Sequence, residues 1–203
     1  MLKFFYKMLE RPKVYNITQV LLGADRVFRA IKKVVKLQLS ENDYSNVLDV
    51  GCGTGMFADF FKVDYTGIDI NPDYIKSVGN KSRGTFLVGD ATSLPFSNIK
   101  FDLVFTLGVL HHLNKNERQK MFDEMWRVCK HKGHILIVDG LVPSNKLNLI
   151  GYVLAKLDRG RYKMRMDKFK EMVSSAYPDR IRITYTQIKC FPYELVAVIL
   201  QKC

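Results

Sequence analysis

The chain is 203 residues long, 47% hydrophobic and 26% charged, a size and balance that suit one domain with a substantial core. Its net charge of +12 is uneven: residues 1–46 hold nine Lys/Arg against four Asp/Glu, residues 47–140 eleven of each, and residues 141–203 twelve against five. No apolar run nears the roughly 20 residues of a bilayer span, and Lys3, Lys7, Glu10 and Arg11 break up any signal-peptide core. Cys52, Cys129, Cys190 and Cys203 make no C-x-x-C pair, so a cytoplasmic protein with reduced thiols and no metal is expected. Basic flanks around a neutral core suit an anionic substrate, a nucleic acid or an anionic membrane surface, or simply a solvated exterior.

In chain order, Leu2, Phe5, Tyr6 and Leu9 form an apolar stripe that suits a lid, a membrane-surface helix or a packing helix. Tyr15, in Arg11-Pro-Lys-Val-Tyr15, is a candidate for closing over a bound ligand from this side. Val27, Ile31, Val34 and Val35 then face away from Arg26, Arg29, Lys32, Lys33 and Lys36, as in a helix packed on a sheet. Short apolar runs at Val47–Val50, Tyr65–Ile70, Thr85–Val88, Asp102–Leu107 and His134–Asp139 read as strands alternating with helices. Asn71-Pro72 supplies an N-cap and a proline at the first helical position. Asn114 and Glu117 fit a capping box, and Phe122, Met125, Trp126 and Cys129 recur at helical spacing, with Gly133 as the expected stop.

Beyond Asp139 the rhythm breaks. Leu147, Ile150, Val153, Leu154 and Leu157 outline a short helix, followed by the basic run Arg159-Gly-Arg-Tyr-Lys-Met-Arg165. Asp167 can cap a helix bearing Phe169, Met172, Val173 and Ala176. Ile181, Ile183 and Tyr185 alternate as in an edge-proximal strand, while Leu195–Leu200 is continuously apolar, as in a strand buried on both faces.

Chemistry concentrates at residues 47–55, Val-Leu-Asp-Val-Gly-Cys-Gly-Thr-Gly, where a strand runs into three alternate glycines and a helical pattern starts at Met56. Glycine permits positive φ and lets a ligand press on backbone, and a strand, glycine turn and helix N-terminus can hold a nucleotide-like group. A tight turn holding nothing is the alternative. The dinucleotide fingerprint G-x-G-x-x-G is disfavoured because position 56 is Met56. Asp69 ends the next strand, where a carboxylate can accept from both ribose hydroxyls. Asp90 can accept the exocyclic amine of adenine while the Ala91 N–H donates to its ring, with Ile70 and Leu94 as apolar walls. The fourth strand leaves through Thr106-Leu-Gly-Val-Leu-His-His112, and carbonyls there can hold an ammonium group. His111 and His112 lack Cys, Asp or Glu at ligand spacing, so no metal site is expected.

The D-x-G-x-G-x-G loop, Gly67-Ile-Asp-Ile70, Gly89-Asp-Ala91, Leu94-Pro95-Phe96 and Val109-Leu-His-His-Leu113 together resemble class I S-adenosylmethionine-dependent methyltransferases, in particular the type 11 small-molecule branch. That resemblance covers about Val47 to Asp139 and the helix-plus-hairpin ending. It implies an α/β fold: a three-layer, Rossmann-like, doubly wound sheet of seven strands, the last antiparallel, with an N-terminal helical cap. It also implies that Asp49, Gly51, Cys52, Gly53, Gly55, Asp69, Ile70, Asp90, Ala91 and Leu107 hold S-adenosylmethionine. The expected organisation is one domain over 1–203: cap 1–46, cofactor core 47–140, substrate-side insertion 141–166, and C-terminal helix and hairpin 167–203.

The expected activity is in-line methyl transfer to a small-molecule or lipid-like acceptor, for which positioning can supply roughly 7–11 kcal/mol. His111 is the candidate base where the acceptor must lose a proton. Tyr15, His112, Arg159, Arg161 and Tyr162 are substrate-side candidates; segments 1–22 and 141–166 are expected to enclose an acceptor with an apolar body and an anionic or membrane-associated part. The alternatives are an RNA methyltransferase, or a catalytically silent cofactor-binding protein acting through partners. Against RNA, the chain has no RRM-type stacking motif, and Thr106-Leu-Gly-Val stands where an Asn/Asp-Pro-Pro-Tyr-type motif would follow strand four.

Overall fold

A computed structural model describes residues 12, 24–40, 44–79, 83–157, 160–177 and 182–202. Helix α1 (Ala24–Gln38) is followed by β1 (Asn46–Val50), β2 (Asp64–Asp69), α2 (Pro72–Val78), β3 (Thr85–Val88) and β4 (Phe101–Leu107). A short 3-10 turn (Leu110–His112) leads to α3 (Lys115–Val128) and β5 (Cys129–Gly140). Helices α4 (Leu149–Leu157) and α5 (Met166–Ala176) precede the hairpin β6 (Arg182–Cys190) and β7 (Tyr193–Gln201).

The seven strands form one sheet in the order β3-β2-β1-β4-β5-β7-β6. Five run parallel, β7 runs antiparallel to β5, and β6 returns beside β7 at the edge. The chain steps from β1 out to β3 and then crosses back to β4. The carboxyl ends of β1 and β4 therefore face opposite connections, which is where a wound sheet opens its crevice.

Alternate strand residues bury on opposite faces. Leu48, Val50, Val104, Ile135, Ile137, Val196 and Val198 pack under α3 and α5 through Met121, Phe122, Met125, Phe169 and Val173. Val47, Leu103, Phe105, Leu136, Val138, Ala197 and Ile199 pack under α1 and the segment after β1, through Ile31, Val35, Leu39, Phe57 and Phe61. Burial on both faces explains why the strands read as unbroken apolar runs. The Met and aromatic stripe of α3 is core packing, and its capping box is present in full. Asn71 caps α2, with Pro72 in its first turn.

Three expectations are corrected. The segment from Met56 is a series of turns, not a helix: the Ala58 N–H donates to the Gly55 carbonyl (3.1 Å) and the Phe60 N–H to the Phe57 carbonyl (3.0 Å). Only eight residues, 56–63, separate the glycines from β2, and the bonds they make close i-to-i+3 turns. Helix α3 stops at Val128 rather than Gly133, because Cys129 already pairs with Phe101 as the start of β5. Gly133 instead allows close approach: a Cβ there would lie 2.9 Å from the Asp102 carbonyl oxygen. The N-cap of α5 is Arg165, without a side-chain cap bond, and Asp167 lies in the first turn. The described part of the N-terminal cap, α1, lies on a sheet face with Lys32 over the Phe57 and Phe60 rings. Residues 1–11 and Tyr15 lie outside the described residues. Among the described residues, no helix is long and apolar enough to cross a membrane.

Candidate functional site

The glycine turn leaves β1 with positive φ at Gly51, Gly53 and Gly55. Gly51 and Cys52 both donate their N–H to the Ile68 carbonyl (2.7 and 3.0 Å), which folds the turn over the end of β2. A Cβ on Gly51 would overlap Val109 Cγ2, so the turn packs directly on the exit of β4. A Cβ on Gly53 would meet nothing within 4 Å. The middle of the turn thus presents bare backbone to the crevice.

Asp69 clamps this turn. Its Oδ2 accepts from the Gly53 N–H and its Oδ1 from the Asn71 N–H, both at 2.8 Å. One half-buried carboxylate thus ties the glycine turn to the start of α2, at the position expected for ribose binding. Asp49 is placed differently. It is 3% exposed and accepts a 2.5 Å bond from the Tyr65 hydroxyl, beneath the turn rather than at its open surface. Burial pushes its pKa up to about 7 against the opposing effect of the Tyr65 bond, and Asp69 adds a smaller upward push. The Cys52 side chain also faces inward: a Cβ on Gly67 would lie 2.8 Å from its Sγ. Burial, with Asp49 and Asp69 nearby, raises its pKa and keeps the thiol protonated.

After β3, Asp90 Oδ1 accepts from both the Thr92 N–H and hydroxyl at 2.8 Å, forming its own turn. The side chain remains exposed and keeps a second acceptor oxygen. Ile70 is 71% exposed and can serve as an apolar wall. Leu94 cannot: it is buried in the core. The registers align the ends of β3, β2, β1, β4 and β5 along one edge, about 4.8 Å apart per strand. Asp90, Asp69, the glycine turn and Leu107 are thereby brought into one row.

The row ends at a pair that the sequence reading half found. His111 is buried at the exit of β4, and its Nδ1 lies 2.5 Å from Asp139 Oδ1 at the end of β5. Asp139 Oδ2 also accepts from the His111 N–H (3.1 Å), and its Oδ1 from the Gly140 N–H (2.6 Å). With the carboxylate accepting from Nδ1–H, Nε2 is the basic nitrogen. A Cβ on Gly108 would approach His111 Cε1 at 3.7 Å, and one on Gly160 would overlap Cδ2. Nε2, between those two carbons, is therefore directed at the gap between the β4 exit and the returning 160s segment. His112 is exposed and lies against His111, with ring centroids 4.2 Å apart and the ring planes tilted by 40°.

The Tyr162 N–H donates to the His111 carbonyl (3.0 Å), and the Arg118 guanidinium sits 5.4 Å from the Tyr162 ring centroid. Arg161 is exposed, whereas Arg159 lies outside the described residues. Asp139, Gly160 and Arg118 were missed. Asp139 carried a usable signal, a carboxylate ending an apolar strand just as Asp69 does; the other two carried none. Among the described residues no group of three or more His, Cys, Asp or Glu could hold a metal ion.

The family described as "Methyltransferase domain" matches residues 48–137. A demethylmenaquinone methyltransferase of Thermotoga maritima is 31% identical over 152 residues, covering 71% of this chain and 63% of its own length. A solved S-adenosylmethionine-dependent methyltransferase of Thermotoga maritima, described as a possible histamine N-methyltransferase, superposes with a TM-score of 0.72 at 16% identity. That match covers 98% of this chain and 100% of the other. Magnesium protoporphyrin IX methyltransferase of Synechocystis PCC 6803, solved with bound SAH, gives a TM-score of 0.67 at 16% identity, over 90% of this chain and 84% of its own. At these identities the structural likeness establishes the fold alone. The chain spans less than two thirds of the length of the demethylmenaquinone methyltransferase and of other curated relatives that it matches.

Proposed function

Since this chain belongs to the class I S-adenosylmethionine-dependent methyltransferases of the type 11 branch, we propose that it methylates a small-molecule or lipid-like acceptor whose reacting atom carries a proton. The residues present fit the cofactor. Gly53 leaves its backbone open to a ligand, with nothing within 4 Å of where a Cβ would stand. Asp69 can accept from ribose hydroxyls while keeping its bonds to Gly53 and Asn71. Asp90 retains an acceptor oxygen for an exocyclic amine, and Ile70 gives the base an apolar surface. When bound, S-adenosylmethionine supplies a methyl group made electrophilic by its sulfonium centre.

The observation that carries the acceptor chemistry is the His111–Asp139 pair. Asp139 orients the imidazole through Nδ1–H and favours the imidazolium that forms when Nε2 takes a proton. Gly160 packs so close on the ring that the strap shields it from water. An amine or hydroxyl fits such a base; an acceptor with no proton to lose would not need one. The demethylmenaquinone methyltransferase, and an ajmaline N-methyltransferase of Rauvolfia serpentina that is 34% identical over 46% of this chain, support an organic acceptor; a tRNA (carboxymethyluridine(34)-5-O)-methyltransferase of Arabidopsis thaliana, 37% identical over 46% of this chain, keeps RNA as the alternative to be tested.

The test uses purified protein. Calorimetry should show binding of S-adenosylmethionine and S-adenosylhomocysteine; binding of NAD alone would overturn the reading. Incubation with methyl-labelled S-adenosylmethionine and a cell extract should place label in the organic-soluble or small-molecule fraction and depend on His111. Label found only in RNA would replace the proposed acceptor class.

A further inference from the structure

Residues 141–157 and 160–165 form the two limbs of a strap closed at its base by the Val142 N–H donating to the Met164 carbonyl (2.9 Å). Its return limb covers His111, and its outward limb carries α4. Asn148 Nδ2 donates to the Pro192 carbonyl (2.9 Å), so the start of α4 is fastened to the turn of the β6–β7 hairpin. That turn lies beside the end of β5, because Gly140 pairs with Leu195. Strap and turn thus share the sheet edge that holds His111.

Five large apolar side chains project from this corner: Leu147, Leu149, Ile150, Val153 and Phe191, with Leu147 at 87% and Phe191 at 67% exposure. Exposed Lys146, Lys156 and Lys189 flank them. Between 141 and 166 the chain carries six Lys/Arg and one acid, Asp158. The neighbouring Glu194 is buried and occupied by the Ser144 N–H and hydroxyl and by Gln187.

We propose that this corner docks on an anionic lipid surface, placing the mouth of the His111 crevice against the bilayer so that the acceptor is drawn from the membrane. Protruding apolar side chains ringed by cations, with no free acid among the described neighbours, match a headgroup layer over acyl chains. A second copy fits poorly, since a two-fold contact would bring the same lysines of both copies together. A protein helix would need a groove, and these side chains stand out from the surface. The consequence for the acceptor rests on the methyl-transfer reading above, but docking can be read without turnover.

Flotation of the full chain with vesicles decides it. Binding is expected to phosphatidylglycerol-containing vesicles and to be about tenfold weaker on pure phosphatidylcholine. A triple variant, Leu149→Asp, Ile150→Asp and Phe191→Asp, should lose about tenfold or more of the anionic-vesicle binding. Its calorimetric affinity for S-adenosylhomocysteine should remain within about twofold of the parent, which also confirms folding. Absence of binding by the parent chain, or undiminished binding by the triple variant, overturns the proposal. So does a sedimentation dimer that the triple variant abolishes, because the corner would then be a self-association face. Vesicle binding by a chain that fails to bind S-adenosylmethionine would leave docking standing and remove the methyl-transfer reading instead.

Discussion

Between β1 and β3 the crevice is built from backbone: the Gly51, Cys52 and Gly53 N–H groups all bond to the end of β2, at separations near the 16 residues between Gly53 and Asp69. Between β4 and β7 it is built from side chains brought from afar: His111 meets Asp139 across 28 residues and packs beneath Gly160. The first side presents bare glycine backbone and a carboxylate, chemistry suited to a ligand common to a whole family. The second presents an imidazole oriented by a carboxylate under a strap, an arrangement that on the proposed reading handles the acceptor. Binding of the cofactor and handling of the acceptor should therefore be separable.

The largest expected effect tests that separation. His111→Gln should lower kcat by about 100- to 10,000-fold and leave S-adenosylhomocysteine affinity unchanged by calorimetry. Asp139→Asn should lower kcat in the same direction, and the double variant should be little worse than His111→Gln, because residues acting as a unit are not additive. A matching fall in cofactor affinity would show that the two sides are one.

Next is a pH effect beneath the glycine turn. The unfolded chain releases the Asp49 proton near the ordinary value of 3.8, while the folded chain holds it to about 7. Between those values the folded state binds the extra proton, so stability should fall as pH rises and level off above about 7. Asp49→Asn should remove that slope, a difference on the order of a few kcal/mol in urea unfolding across the window. Parallel pH profiles for the two proteins would contradict the buried, protonated Asp49.

Asp69→Ala should weaken S-adenosylhomocysteine binding by roughly 1.5–3 kcal/mol, the scale for a hydrogen bond to a charged group. An unchanged affinity in a folded variant would mean that the ribose is held elsewhere. Gly160→Ala and Gly53→Ala then sharpen the contrast. At Gly160 the new Cβ overlaps the His111 ring, and about 1–3 kcal/mol of stability should go together with turnover. At Gly53 the Cβ has room but φ is +55°, so about 1–2 kcal/mol of strain is expected, with cofactor affinity falling and the base unaffected. Thermal unfolding and calorimetry on both variants check the pairing.

Much of the fold was legible because its signals are local. Asn71-Pro72 and the Asn114–Glu117 box act within one helical turn, and both caps form. Leu195–Leu200 is unbroken because β7 lies between β5 and β6 with both faces covered. Local rules failed where tertiary packing overrode them. Phe57, Phe60 and Phe61 have helical spacing, and Phe57 and Phe61 do bury on the sheet face, yet the eight residues held between the Gly55 turn and β2 form only turns.

The same division runs through the candidate site. Glycine stereochemistry and strand-end carboxylates marked residues 51–55, Asp69 and Asp90 in the sequence itself, since turns and strand ends depend on near neighbours. The sequence did not distinguish the buried Asp49 from the crevice-facing Asp69, because facing is decided by which layer covers each side of β1 and β2. It left His111 without a partner, since its distance to Asp139 depends on the parallel register of β4 with β5. Nor did it show Gly160 on the imidazole, or Leu149 and Phe191 on one corner. Those contacts join residues far apart in sequence, and only the closing of the strap against the hairpin turn brings them together.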